Sequence, residues 1–449
     1  MSSRPDAVAA GLTGTDMAES TDLGILDARL VDPATGRDGR GSVLIRDRAI
    51  ADVVWGAAPT PGEGVRRIDG RGLVLAPGLV DLRAFLGEPG AEFRETLGTG
   101  SHAAAAGGVT TIVCRPDTDP PIDDPAIIDF IKRRARDKAI VNVLPCAALT
   151  KSVAGREITE FGLLLEAGAV AFSDGAKALR NPQVMRRALI YARDFDALIM
   201  NHVEDPDLAG GGVMNEGEFA SRKGLPGIPL EAETVMLERD IRLALATGGR
   251  YHAAMISCAQ SLELVRRARA AGARVTCGVS INNLTLNEND VGDYRTFCKV
   301  SPPLRHEDDR LAMVAGLAEG VIDVVVSDHD PQDVETKRQP FGEAANGALG
   351  IETMLAAALR LVHAGQIGLP ALLAALTARP AGLLGLPCGR LDRGAPADLV
   401  LFDPDAPFVV DKRALKSRAK NSPFDEARLQ GLARLTIVAG QVVYEARGG

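Results

Sequence analysis

The chain has 449 residues, of which 46% are hydrophobic and 24% charged, and its formal net charge is -8. This length suggests two or three structural units with a large aliphatic core. An acidic chain lacks the basic surface needed to bind nucleic acid or anionic membranes, and no run of about 18 apolar residues occurs. We therefore expect a cytoplasmic protein with no nucleic acid or membrane partner. Six cysteines in no C-x-x-C pair predict buried thiols rather than a disulfide framework.

The two ends of the chain share a strand-rich pattern. Residues 1–21 contain no apolar run of signal-peptide length and are expected to form a disordered tail. Residues 22–76 alternate apolar and polar side chains between D-P, T-G and D-G turns, which predicts β-hairpins. The same pattern returns within residues 388–449, in RLDRGAPADLVLFDPDAPFVV and LARLTIVAGQVVYE. We expect the two ends to form one small β-sandwich domain.

The middle of the chain, residues 77–387, alternates short apolar runs with helical segments. Eight such runs occur: GLVDLRAF, VTTIVCRP, AIVNVLPC, GAVAFSD, ALIMNHVED, RYHAAMISC, RVTCGVS and VIDVVVSD. Segments such as IIDFIKRRARDKA and SLELVRRARAAG lie between them, with apolar residues at helical spacing. The fold class is therefore α/β, and eight repeats predict a (β/α)8 TIM-type barrel, with a doubly wound sheet as the alternative. In such a barrel the chemistry lies where the strands end.

These strand ends carry motifs that resemble a known family. PGLVDLRAFLGEPG, ETLGTGSHAAAAGGVTTIVCRPDT, AFSDG, NHVED, KVSPPLR, VVSDHDPQ and ADLVLFDP together resemble the dihydroorotases of the amidohydrolase superfamily, over residues 22–445. The resemblance implies that a cyclic amide is hydrolysed or closed by hydroxide on one or two Zn²⁺ ions. It also implies the ligands: a His-x-His pair after strand one, an acidic residue after strand four, histidines after strands five and six, and an aspartate after strand eight. That aspartate would also be the general base.

Three of the implied ligand positions hold residues that cannot bind zinc well. Arg83 and Phe85 stand at the His-x-His positions, and neither side chain offers a lone pair to a metal. Met255 stands at the position of the histidine after strand six, and its thioether is a poor ligand for Zn²⁺ among oxygen donors. The chain has six histidines in all, so few replacements exist. We therefore expect no cofactor, or Zn²⁺ in a reduced site if the chain is active.

The remaining ligand positions are His202, Asp174 and Asp328, with Asp328 at the general-base position. Gly175 replaces the second of two aspartates that the family shows after strand four. His202 is either a surviving ligand or a histidine hydrogen-bonded to a neighbour such as Glu204 or Asp205. We hypothesise that Arg83 supplies the positive charge that Asp328 and Asp174 would otherwise receive from the metal.

The implied substrate positions also differ from the family. Gly87 stands where an arginine would contact the substrate carboxylate, and Asp117 stands where an asparagine would. An aspartate repels that anion. Asn282 and Asn283 replace two histidines expected after strand seven. Lys177 lies too far past its strand to predict a carbamylated bridging lysine, and His252, His306, His329 and His363 are interpreted as structural, with His329 turned away from the site.

Two functional hypotheses follow. In the first, the chain is a catalytically inactive dihydroorotase homologue of pyrimidine (UMP) biosynthesis, which supports the assembly of aspartate transcarbamoylase by binding its catalytic subunit in a homo- or hetero-oligomer. This partner is implied by the resemblance alone. In the second, the chain is a working dihydroorotase or related cyclic amidohydrolase that interconverts N-carbamoyl-aspartate and dihydroorotate with a reduced zinc site.

Overall fold

The structure, a computed structural model, describes residues 22–56, 62 and 64–446. The tail expected over residues 1–21 lies outside the described residues. The described chain forms eighteen strands: β1 Leu23–Asp32, β2 Arg37–Arg46, β3 Ala49–Trp55, β4 Arg66–Asp69, β5 Val74–Pro77, β6 Leu79–Ala84, β7 Val109–Cys114, β8 Asn142–Ala148, β9 Ala171–Ser173, β10 Leu198–Asn201, β11 Met214–Asn215, β12 Gly227–Ile228, β13 Arg250–Ala253, β14 Val275–Ser280, β15 Val324–Val326, β16 Leu399–Val409, β17 Arg428–Val438 and β18 Gln441–Glu445.

Helices follow most of the central strands. They are α1 Leu97–Ala106, α2 Pro125–Lys138, α3 Phe161–Ala167, α4 Pro182–Arg193, α5 Pro206–Ala209, α6 Glu218–Lys223, α7 Glu231–Thr247, α8 Ala259–Ala270, α9 Ile281–Thr285, α10 Glu307–Ala318, α11 Val334–Lys337, α12 Met354–His363, α13 Leu369–Leu376 and α14 Ala378–Leu384. Local chemistry fixes where several of them begin. In α2 and α4 a proline stands in the first turn, and the side chain of Asp124 or Asn181 caps the free backbone N–H groups.

The central sheet is a parallel barrel. Its order is β6-β7-β8-β9-β10-β13-β14-β15, so the eight apolar runs are its strands in chain order. A bridge between Ala84 and His329 joins its first and last members, and Phe85 N donates to the His329 carbonyl at 2.8 Å. The predicted (β/α)8 barrel is confirmed, and the alternative of a doubly wound sheet is wrong.

The second large sheet is built from both chain ends, as predicted. Its order is β18-β17-β16-β5-β1-β2-β3, with β5 and β16 pairing in antiparallel fashion. The hairpins β1-β2, β2-β3 and β17-β18 form. The hairpin expected at the D-G turn of residues 69–70 is wrong: β4 and β5 both pair parallel to β1, one after the other along its length. Pairing with β1 therefore overrides the local turn signal.

Apolar packing divides into three clusters. The largest lies between the barrel strands and their helices and includes one face of the terminal sheet; a second covers the other face of that sheet. The third fills the barrel interior with residues such as Leu82, Met200, Met255 and Val326. In the part of the chain that the structure describes, no helix has the length and apolar character needed to cross a membrane.

Candidate functional site

Arg83 lies at the centre of the barrel mouth, the end of the barrel at which the parallel strands finish. Its Nε donates to Asp328 Oδ1 at 3.1 Å, and its Nη1 donates to the Gly175 carbonyl at 3.0 Å. Both side chains of the ion pair are 7% exposed. The backbone of Asp328 adopts a left-handed conformation (φ 47°), which is uncommon and strained for a residue with a Cβ. The contact that we hypothesised between Arg83 and Asp328 is therefore present.

A second set of ion pairs continues across the mouth. Arg115 donates to both oxygens of Asp117 through Nε and Nη2, and its Nη1 donates to Asp330 Oδ2 at 2.9 Å. Asp330 also accepts from Arg94 Nη2 at 2.6 Å, and Arg94 Nε donates to the Pro331 carbonyl at 2.7 Å. The result is a chain of alternating charges between the loops that follow strands one, two and eight. We call these four charged residues together with Arg83 and Asp328 the mouth network.

Phe85 contacts two members of this network through its ring. The guanidinium carbon of Arg94 lies 4.3 Å from the centre of its ring, and that of Arg115 lies 5.3 Å away. Both separations permit attraction between a cation and an aromatic face. Phe85 is 2% exposed. A position that would hold a histidine ligand in the resembled family thus holds part of a packed apolar and cationic layer.

Gly175 and Asp117 fit each other. Gly175 has φ 68°, and a Cβ at this position would lie 2.2 Å from Asp117 Oδ1. The carboxylate of Asp117 therefore occupies the space that a side chain at residue 175 would need, and it accepts a hydrogen bond from Ala176 N at 3.2 Å. The family shows a second aspartate after strand four, at the position of Gly175. Here the aspartate after strand two, Asp117, fills the space that its side chain would need.

Burial and the network together set the protonation of the carboxylates. Burial alone would raise the pKa of Asp117, but the charge and hydrogen bonds of Arg115 outweigh it and bring the pKa to about 2. For Asp328, burial is the larger effect and is only partly offset by Arg83, so its pKa rises to about 6. Both groups are therefore ionised near neutral pH, and the mouth network has three positive and three negative charges.

Asp174 is directed away from Arg83. Its two oxygens accept from Thr150, from N at 2.9 Å and from Oγ1 at 2.7 Å, and burial raises its pKa. The part of our hypothesis that placed Arg83 beside the Asp174 carboxylate is therefore wrong. Asp174 instead fixes the loop after strand three, because Thr150 satisfies both of its oxygens.

His202 lies at the mouth, but its partner is not one that we expected. Its Nε2 lies 3.0 Å from Ser301 Oγ, and Ser301 in turn donates to Glu204 at 3.3 Å. Burial, followed by the charges of Arg83 and Arg115, lowers the pKa of His202 to about 3, so the ring is neutral. Its Nδ1 is buried and has no hydrogen-bond partner among the described residues.

The asparagines after strand seven are also buried. Asn283 Nδ2 donates to the Pro303 carbonyl at 2.9 Å, whereas both amide atoms of Asn282 lack partners within the described part of the chain. Met255 is fully buried in the cluster that fills the barrel interior. The cavity beneath the mouth network measures about 10 Å³, which is enough for at most one water molecule.

The backbone around Gly87 leaves no room for a side chain. It has φ 71°, and a Cβ would lie 2.1 Å from the Glu95 carbonyl oxygen. An arginine at this position would therefore require the loop after strand one to move. Lys177 is exposed.

Three of the four histidines interpreted as structural have ordinary polar neighbours, and His329 is the exception. His252 Nδ1 contacts Thr276 Oγ1 at 2.8 Å, His306 caps α10, and His363 lies 3.6 Å from Asp405. His329 is buried with Nε2 3.5 Å from Glu95 Oε2, and neither of its ring nitrogens has a hydrogen-bond partner among the described residues.

The zinc that the resemblance implies does not fit these residues. Two ligand positions hold Arg83 and Phe85, a third holds a methionine inside the barrel, and Asp328 is committed to an ion pair. A divalent cation would also meet the repulsion of three guanidinium groups. Among the described residues, no group of three or more His, Cys, Asp or Glu side chains is arranged to hold a metal ion.

Sequence reasoning missed three members of the mouth network: Arg94, Arg115 and Asp330. A signal was available for two of them, because Arg115 and Asp330 lie two residues from Asp117 and Asp328 respectively, and residues two apart at a strand end can face the same side. Arg94 carries no comparable signal, since it reaches Asp330 from a loop ten residues beyond its strand.

Comparisons with known proteins agree with this architecture. The family model described as Dihydro-orotase-like matches residues 72–261, and the Amidohydrolase family model matches residues 317–444. The solved L-hydantoinase (dihydropyrimidinase) of Arthrobacter aurescens superposes with a TM-score of 0.85 at 26% identity, covering 95% of this chain and 96% of that one. The dihydropyrimidinase of Brevibacillus agri gives a TM-score of 0.81 at 22% identity, covering 94% and 95%, and so shows the fold. The barrel, the terminal sheet and these matches define an amidohydrolase-type protein.

Relatives in sequence identify the family within this class of proteins. The dihydroorotase of Citrifermentans bemidjiense is 42% identical over 423 residues, which are 94% of this chain and 99% of that one. The dihydroorotase of Syntrophus aciditrophicus is 41% identical over 417 residues, 93% and 98% of the two chains. The chain belongs to the dihydroorotase family.

Proposed function

We propose that this chain is a catalytically inactive member of the dihydroorotase family that acts in pyrimidine biosynthesis through assembly rather than through zinc chemistry. The observation that supports this proposal is the buried ion pair of Arg83 and Asp328, which joins a ligand position of the family to its general-base position. An aspartate held by a guanidinium cannot serve a bound metal without first losing that partner.

The energetics of the mouth network support the same proposal. Breaking a buried ion pair by removing one partner costs about 3–5 kcal/mol, because the other charge stays buried without compensation. A metal entering the mouth would have to displace Arg83 and approach Arg94 and Arg115, while gaining few of the ligands that zinc needs. The network is therefore a competitor of the metal.

The partner in this proposal is the catalytic subunit of aspartate transcarbamoylase, and the assembly is a homo- or hetero-oligomer. Support for the partner comes from the resemblance alone, since family members of this inactive kind accompany that enzyme. The chain would then contribute a rigid barrel and its outer surfaces, which do not depend on the mouth.

A second candidate is a working dihydroorotase or related cyclic amidohydrolase. It is favoured by the identity of 42% with a dihydroorotase over 94% of the chain. In such a site, Asp328 and the neutral ring of His202 would be the side chains that remain at the ligand positions of the family. This candidate requires Arg83 to leave Asp328 when zinc is present.

One purified sample separates the two candidates. Zinc content by elemental analysis, turnover of dihydroorotate and of N-carbamoyl-aspartate, and co-elution with the aspartate transcarbamoylase catalytic subunit are measured on it, with the relative from Citrifermentans bemidjiense processed in parallel. The proposal expects little zinc, no turnover above the blank, and a complex that co-elutes. Stoichiometric zinc together with turnover would establish the second candidate and overturn the first.

A designed variant tests the ligand positions directly. The three-histidine variant carries Arg83→His, Phe85→His and Met255→His, and restores the implied histidines. Its control carries three histidines at exposed apolar positions on separate elements: Phe93→His, Leu163→His and Val409→His, at 59%, 55% and 59% exposure. Zinc uptake by the first variant only would show that the ligand geometry persists around the replaced residues.

A further inference from the structure

A large cleft lies outside the barrel mouth and has no role in the proposed function. It measures about 760 Å³, within the range of pockets that hold small-molecule ligands. Three parts of the chain form it: residues 286–297 beyond strand β14, the end of helix α12, and residues 412–428 leading into β17. The cleft thus lies at the junction of the barrel and the terminal sheet.

Basic side chains slightly outnumber acidic ones in its lining. They are Arg295, Arg360, Lys412 and Arg428, against the acidic residues Asp290, Asp425 and Glu426. The lining is therefore more basic than acidic, although the whole chain has a net charge of -8. The lining thus carries one more basic than acidic side chain, which favours an anion here over the acidic remainder of the protein.

Only some of these cations have partners. Lys412 pairs with Asp425 at 2.5 Å, and Arg295 donates to the Pro423 carbonyl at 3.1 Å. Arg360 and Arg428 are exposed, and neither forms an ion pair with any residue in the described ranges. Two guanidinium groups are therefore available to a ligand on the same cleft.

The cleft also presents aromatic surface. Tyr294 is 45% exposed, and its hydroxyl donates to the Lys223 carbonyl at 2.8 Å. Its backbone has φ 59°, an unfavourable conformation for a bulky residue. Phe297 also lines the cleft, with Lys412 Nζ 5.5 Å from the centre of its ring. Lys223 therefore contacts Tyr294 twice, through its carbonyl at the hydroxyl and through Nζ 5.2 Å from the centre of the ring, and the residue still lines the cleft.

We propose that this cleft binds a small molecule carrying a phosphate group, with Arg360 and Arg428 as its anchors. A guanidinium binds a phosphate through bidentate hydrogen bonds, and two such groups on one cleft suit the larger negative charge of a phosphate better than that of a single carboxylate. The volume exceeds what inorganic phosphate alone would fill, and the exposed ring of Tyr294 offers a surface for an organic part.

Calorimetry tests the site with inorganic phosphate, inorganic pyrophosphate, UMP and AMP, and with uridine as the probe without phosphate. The variant Arg360→Gln/Arg428→Gln should weaken binding of the phosphorylated probes by about tenfold or more, which corresponds to about 1.4 kcal/mol. The matched control Arg186→Gln/Arg187→Gln changes two exposed arginines on helix α4 and should bind as the wild type does. A preference for UMP or AMP over pyrophosphate that Tyr294→Ser removes would identify a nucleotide as the source of the phosphate.

Hydrogen–deuterium exchange locates the bound probe without relying on the variants. Bound pyrophosphate or nucleotide should slow exchange in residues 292–298 and 423–428 of the wild type. The proposal is overturned if no phosphorylated probe binds at about 1 mM, a concentration that corresponds to about 4 kcal/mol of binding free energy. It is equally overturned if the cleft variant binds as tightly as the control variant, or if protection falls elsewhere.

Discussion

Replacing Arg83 by methionine should destabilise the protein by about 3–5 kcal/mol at pH 8, because a buried carboxylate then loses the cation that it contacts directly. Methionine keeps most of the length of the side chain, so lost packing contributes little. Both side chains of the pair are 7% exposed, and solvent cannot replace the ion pair. With an unfolding entropy of about 2.1 cal/mol/K per residue, this loss corresponds to a decrease in Tm of about 3–6 °C.

The pH dependence distinguishes this mechanism from a general packing defect. Asp328 has a pKa of about 6, so at pH 5 it is largely protonated and needs Arg83 less. The loss caused by Arg83→Met should therefore be smaller at pH 5 than at pH 8. Denaturant unfolding at both pH values gives the two losses, and the double variant Arg83→Met/Asp328→Asn should be more stable at pH 8 than Arg83→Met alone.

Arg186→Met provides the control, since Arg186 is exposed on helix α4 and its replacement should change the unfolding free energy by less than about 0.5 kcal/mol. A loss for Arg83→Met no larger than that of this control would refute the reasoning. So would a loss that is equal at pH 5 and pH 8, because the charge of Asp328 would then be irrelevant.

Three further predictions concern the same region. The raised pKa of Asp328 contributes stability that is present below its unfolded pKa of 3.8 and is lost as the pH rises through about 6. Wild type should therefore lose about 3 kcal/mol of unfolding free energy relative to Asp328→Asn between pH 3.5 and pH 8, which denaturant unfolding of both proteins measures. An unfolding free energy that changes equally with pH in the two proteins would contradict this prediction. Gly175→Ala should cost about 1–3 kcal/mol more than the control Gly36→Ala, because both have positive φ but only residue 175 meets the Asp117 carboxylate, and thermal unfolding of the two variants measures the difference. The three-histidine variant should take up more zinc than the wild type by elemental analysis after dialysis against zinc, and an uptake no greater than that of its surface-histidine control would show that the mouth network still excludes the metal.

Much of the fold could be predicted from the sequence, because barrel strands and their helices are marked by local periodicity. All eight apolar runs became parallel strands in the predicted order. The hairpin predicted at residues 69–70 does not form, for a physical reason. A D-G turn permits a hairpin, but the apolar strand β5 that follows is stabilised more by pairing with β1 and β16. Local turn chemistry gives way where a longer-range partner buries the strand.

The candidate site was predictable only in part. Residue chemistry by itself determined that Arg83, Phe85 and Met255 are poor zinc ligands, since that follows from their side-chain atoms wherever they lie. Only the tertiary structure decided what these residues contact. Arg94, Arg115 and Asp330 meet there because three loops converge at one end of the barrel, and the charge of each carboxylate depends on neighbours distant in sequence.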